Sequence, residues 1–250
     1  MAAPHTTHHL RRASGFAGAL SFALLLCLTL AACGAAASPP RHAPSVAKAS
    51  SPGRTLVVMG ASDAYGVGTN DPDRLNWPTQ LAAELPQPTH LVNLGIPGAT
   101  LAQAQQEELP IAAAQHAQIV VIWLAVNDII DGTPLPTYTT ELRDTLATLR
   151  RASPSTRIFV GNVPDLAELP YFAAHDPATL RAEVNAWNAA IAQVCVAEGA
   201  TVADLANAWG EFDQHPEYIS YDGLHPSLAG ARALANFFDI VIRRAMRISG

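Results

Sequence analysis

Ser62 stands in the run Gly60-Ala61-Ser62-Asp63-Ala64-Tyr65-Gly66, directly after the apolar stretch Leu56 to Met59. A serine on a tight, glycine-flanked turn at the end of a strand projects its hydroxyl toward the crevice where parallel sheets bind ligands. Such a hydroxyl is a feeble nucleophile by itself. It needs an imidazole to take its proton and a carboxylate to hold that imidazole in the right tautomer. Asp222 and His225, three apart in Tyr221-Asp222-Gly223-Leu224-His225-Pro226, can deliver both groups from one loop. A rival pair, Asp213 and His215, has a spacing of two, which in an extended segment sends the side chains to opposite faces. It ranks well below. The blander reading of Ser62 is a helix N-cap.

Two further blocks offer hydrogen-bond donors. Asn93-Leu94-Gly95-Ile96-Pro97-Gly98-Ala99-Thr100 follows a second apolar run, and its glycines allow backbone N–H groups to approach a ligand closely, as a developing oxyanion requires. Ala125-Val126-Asn127-Asp128 follows a third run, and an Asn amide is a neutral donor for such a charge. Taken singly, both blocks also fit plain loop, turn or cap geometry.

The elements that must position these groups alternate along the chain. Strands are expected at Leu56 to Met59, His90 to Leu94, Ile119 to Leu124, Arg157 to Val160 and Ala200 to Leu205. Helical patterns lie at Pro78 to Leu85, Leu101 to His116, Tyr138 to Arg151, Ala178 to Glu198 and Ser227 to Ile248. Near-continuous apolar strands separated by helices point to a parallel sheet covered on both faces. The expected fold is a single α/β domain over 54–250, a three-layer sandwich around a five-stranded parallel sheet, doubly wound in the flavodoxin manner. Each block then falls just beyond a strand end.

In order, spacing and placement, the four blocks together resemble the SGNH (GDSL-type) hydrolase family, from Leu56 to about Pro226. The resemblance implies that Ser62 is the nucleophile, His225 the base and Asp222 its orienter. It also implies that Gly98, Asn127 and the Ser62 backbone N–H hold the oxyanion. Two positions depart from the family pattern. Its Gly-Asp-Ser reads Gly60-Ala61-Ser62, and the glycine that opens the third block is Ala125. Neither position carries a reacting group, so they bear on rate and substrate range. An α/β-hydrolase elbow, G-x-S-x-G, is set aside because Ala64 stands two after Ser62.

The implied activity is hydrolysis of carboxylic esters, small or acyl, without metal or cofactor. An inactive binding module on the same fold, an acyltransferase and a carbohydrate deacetylase are the alternatives. For substrate contacts the expectation is Asp63, beside the nucleophile, with Tyr171 and Phe172 from the segment Gly161 to Pro177. Leu166 and Leu169 lie in that segment too, and its apolar residues either line an acyl pocket or close over the core.

The chain has 250 residues and a formal net charge of −6. So acidic a chain lacks the basic stripe that nucleic acid requires, and a monomer is expected. Arg11 and Arg12, the apolar run Phe16 to Ala32 and the exit Leu30-Ala31-Ala32-Cys33-Gly34 have the anatomy of an export signal. The exit resembles the bacterial lipobox. It implies a signal peptide over 1–33, lipidation of Cys33 and a domain held at the cell envelope outside the cytoplasm. Residues 34–53, rich in Ala, Ser and Pro, read as a disordered tether. Of three cysteines, Cys27 and Cys33 fall in the leader, and Cys195 reads as a small buried residue.

Overall fold

The computed structural model describes residues 53–212 and 214–247. The expected leader, its Cys33 and the tether up to residue 52 lie outside them, as does Asp213. In chain order the elements are β1 (Arg54–Gly60), α1 (Ser62–Tyr65), α2 (Pro72–Leu75), α3 (Trp77–Glu84), β2 (Thr89–Asn93), α4 (Leu101–Glu107), α5 (Leu109–Ala114) and β3 (Ile119–Trp123). There follow α6 (Val126–Ile130), α7 (Leu135–Ala152), β4 (Arg157–Gly161), α8 (Pro177–Glu198), β5 (Thr201–Ala203), α9 (Leu205–Phe212) and α10 (Leu228–Met246).

All four strand pairings are parallel, in the order β2-β1-β3-β4-β5, which is the flavodoxin-like doubly wound arrangement. The chain steps from β1 out to β2, then back across to β3. Right-handed crossovers therefore put α3 on one face and the next connecting helices on the other. α10 returns to pack on α3, while α4, α5 and α7 meet each other and α7 meets α8. With both faces covered, Leu56, Val57, Val58 and Met59 are all fully buried, which is why the strand is apolar without alternation. Between α3 and α10, Trp77 stacks on Phe238 at 4.7 Å and meets Trp123 edge-on at 6.3 Å.

The single helix expected from Leu101 to His116 is two. Pro110 is the second residue of α5, where its missing N–H costs no hydrogen bond; inside a continuous helix its ring would strike the preceding turn. The break turns Glu108 inward. It is 1% exposed, and its Oε2 accepts from the Gly60 N–H at 3.0 Å, two residues before Ser62. Its Oε1 is buried without a partner among the described residues.

Burial pushes the Glu108 carboxyl up to about 8. The Gly60 N–H opposes the shift, and the carboxylates of Asp63 and Glu107 reinforce it. The unfolded chain releases this proton near ~4.3, whereas the folded chain keeps it to about pH 8. The stabilising contribution is complete below the unfolded value and is lost as pH rises through the folded one. Glu108→Gln keeps the acceptor for Gly60 and cannot ionise. Its melting temperature is expected to exceed that of the unmodified protein by several degrees at pH 8, the gap closing by pH 4. Circular dichroism melts across that range check this; a pH-independent gap would remove Glu108 as the cause.

Candidate active site

Strand register sets the site. Gly60 pairs with Trp123, and Val58 with Asn93, so β2, β1 and β3 end side by side and their outgoing chains turn over one rim.

Ser62 is the first residue of α1. The N-cap is Ala61, with φ −109° and ψ −142°, and no side chain caps the helix. The N-cap reading of Ser62 therefore gives way, and its hydroxyl is left to donate to His225 Nε2 at 2.8 Å. The His225 Nδ1–H donates to Asp222 Oδ2 at 2.7 Å. Both bonds are satisfied by the tautomer with its proton on Nδ1.

The other carboxylate oxygen, Asp222 Oδ1, accepts from Ser220 Oγ at 2.8 Å and from the Leu224 and His225 N–H groups at 2.9 Å each. Burial works to raise the Asp222 pKa, but these donors and the His225 ring outweigh it and hold the acid well below the usual carboxylate range. Ser220 carried no signal in the sequence beyond lying two before Asp222. The loop is closed on itself by Ser220 N–H to His225 O at 2.8 Å and Gly223 N–H to Ser220 O at 3.0 Å. Ser227 then caps α10 by accepting from Ala229 and Gly230. His215 of the rival pair bonds Glu217 instead, at 2.8 Å on the exposed surface.

The second block makes a turn. Ala99 N–H donates to Ile96 O at 3.0 Å, with Pro97 and Gly98 between them. Gly98 has φ +82°, as the third position of a type II turn demands. A Cβ there would meet nothing within 4 Å, so backbone angle, not space, calls for glycine. At Gly95 the requirement is space, because a Cβ would lie 2.7 Å from the Tyr65 nitrogen in α1.

Three side chains that the sequence did not single out as ties lock the blocks together. Asn93 Nδ2 donates to Ala64 O at 2.7 Å, and Asn127 Nδ2 donates to Ala99 O at 2.9 Å. Buried Asp128 accepts from the Leu101 N–H at 3.0 Å, and burial pushes its carboxyl up to about 6. Among the described residues no protein acceptor takes the Ser62 or Gly98 N–H, or the second Asn127 amide hydrogen. Ala125, where a glycine was expected, is the N-cap of α6, and its methyl is buried.

A cavity of about 70 Å³ opens beside Ser62, His225 and Asn127. Asp63 reaches its wall, but Asp63 Oδ2 is held by the Trp77 indole N–H at 3.0 Å. Burial raises this acid to about 6 against the opposing bonds from Trp77 and the Asp63 and Ala64 N–H groups. Tyr171 and Phe172 are a correction: neither lines the cavity. Leu166 and Leu169 take that place, being three apart on a 3₁₀ turn and so on one side of it. Phe172 is buried and meets Tyr171 and His175 edge-on. Tyr171 is half exposed, and its N–H donates to Gly223 O at 3.1 Å, bracing the Asp222 loop.

Residues 58–233 match the model of the GDSL-like Lipase/Acylhydrolase family. No curated protein matches the chain in sequence. Among solved structures, TesA is similar with TM-score 0.63 at 20% identity, covering 76% of this chain and 99% of its own. The psychrotrophic esterase EstA from Pseudoalteromonas sp., solved inhibited by monoethylphosphonate, gives 0.60 at 16% identity over 78% and 99%. A family 3 carbohydrate esterase from Clostridium thermocellum gives 0.60 at 19% identity over 77% and 98%. These likenesses establish the fold.

Proposed function

Given that the chain belongs to the GDSL-like lipase/acylhydrolase family, we propose that it hydrolyses carboxylic esters through an acyl-enzyme on Ser62. His225 serves as general base and acid, and Asp222 orients it. The observation that carries this reading is the unbroken relay from Ser62 Oγ through His225 to Asp222, at 2.8 and 2.7 Å, at the mouth of the cavity.

Ser62 Oγ attacks the ester carbonyl carbon as its proton passes to His225 Nε2. The carbonyl oxygen becomes an oxyanion that accepts from the Ser62 and Gly98 N–H groups and from the Asn127 amide. These donors are fixed before substrate arrives, by the Ile96–Ala99 turn and the Asn127 to Ala99 bond, so little reorganisation is needed when the charge develops. Collapse of the intermediate breaks the C–O bond, and His225 returns the proton to the departing alcohol. A water then gives its proton to His225 and attacks the acyl-enzyme; release of the acid restores Ser62.

A fluorophosphonate probe tests the reading, because it reacts with a serine whose proton is being withdrawn. Labelling is expected at Ser62, found by peptide mass spectrometry, and is expected to be blocked by heat denaturation. An unlabelled Ser62 in folded protein would favour the binding-module alternative.

A further inference from the structure

The cavity beside Ser62 is walled by hydrocarbon. Ala61, Trp123, Leu166, Leu169, Ile219 and Leu234 face it, and Leu166, Leu169 and Leu234 are 0, 5 and 1% exposed. Apart from the Ser62–His225 pair and the N–H groups turned toward the oxyanion, the polar side chains on its wall are engaged within the protein. Asp63 accepts from Trp77, the Trp123 indole donates to Asn162 O, and Asn127 donates to Ala99 O. A charged or hydroxylated group entering this space would lose water without recovering its hydrogen bonds; a hydrocarbon chain loses nothing of the kind. Where the family signature has aspartate, this chain presents the Ala61 methyl, buried and directly beside the nucleophile.

We propose that this cavity holds the acyl group of the substrate and that Ala61 sets its depth and polarity, restricting the enzyme to esters of short, uncharged aliphatic acids. The proposal rests on the ester-hydrolase reading above. A group bound against core side chains suits the part of the substrate that stays on Ser62 through both half-reactions, while the alcohol must leave and water must enter. At the ~30 Å³ that a water occupies in the liquid, the volume of about 70 Å³ takes roughly two or three groups of that size. A methylene fills about the space of one water, so acyl groups from acetyl to butanoyl fill the cavity and longer ones overrun it.

The test is a chain-length profile on the full chain with p-nitrophenyl acetate, butanoate, hexanoate and dodecanoate. It is run on the unmodified protein, Ala61→Val and Ala61→Asp, with fluorophosphonate labelling of Ser62 in parallel. Circular dichroism checks that Ala61→Val keeps the fold. The expected profile peaks at acetate or butanoate. Because a methylene in an apolar pocket is worth roughly tenfold or more, the butanoate-to-acetate ratio of kcat/KM falls at least that much in Ala61→Val. An unchanged ratio, or a flat unmodified profile with hydrolysis intact, overturns the acyl site and leaves the esterase standing. Absence of all ester hydrolysis, with Ser62 unlabelled, overturns both.

Discussion

Replacing Ser62 by alanine is expected to lower kcat for p-nitrophenyl acetate on the order of 10⁴–10⁶, the loss serine hydrolases suffer when the nucleophile goes. The structure makes this a clean experiment. The Ser62 hydroxyl caps no helix, and its hydrogen bond runs to His225, so alanine leaves α1 and the sheet intact and the melting temperature within a few degrees. What survives is the set of oxyanion donors and substrate binding. The same logic fixes the double variant. Once Ser62 is gone His225 has no nucleophile to serve, so Ser62→Ala with His225→Ala should fall little below Ser62→Ala alone, instead of multiplying the two losses. A loss under a hundredfold in the single variant would mean the ester is cleaved by other groups.

Much of this site was readable in the chain because its parts are local. Apolar runs such as Ile119–Trp123 mark strands, and a functional block sits within a few residues of each of the first three strand ends, so parallel order brings Ser62, Gly98 and Asn127 to one rim. Less legible was whatever depends on packing between distant segments. Pro110 marks a helix break that the single-helix reading of Leu101 to His116 passed over, and nothing local showed that the break would aim Glu108 at Gly60, 48 residues away. Asp128 reads as a turn residue until its carboxylate is seen on the Leu101 N–H. Tyr171 and Phe172 looked like pocket residues, but they sit on a second 3₁₀ turn where Phe172 packs against Tyr171 and His175, and the turn before it gives the cavity to Leu166 and Leu169. Ala125 stands where the family has glycine, and the structure accommodates its methyl in the core. Ala61 is different, for its consequence lies in the side chain it places on the cavity wall.

Asp222→Asn is expected to cost ~10⁴ in kcat while leaving the fold intact, and the reason lies in the hydrogen-bond count. Asp222 offers two acceptor oxygens. Oδ1 takes three donors, from Ser220, Leu224 and His225 N–H, and Oδ2 takes the His225 ring. Asparagine offers one acceptor oxygen and one NH₂. If its oxygen faces His225 Nδ1, the NH₂ confronts three donors and the loop loses their bonds. If its oxygen faces the three donors, the NH₂ points at Nδ1 and forces that nitrogen to accept. The second arrangement keeps three bonds instead of one, so it prevails. His225 then carries its proton on Nε2, toward Ser62, and cannot take the hydroxyl proton. The variant is thus correctly folded and wrongly protonated. The checks are kcat on p-nitrophenyl acetate, expected to collapse, and the melting temperature, expected to hold within a few degrees. Ser220→Ala on the Asp222→Asn background removes one of the three competing donors and should recover part of the rate. A loss of less than tenfold in Asp222→Asn would show that the imidazole is held by something other than this carboxylate.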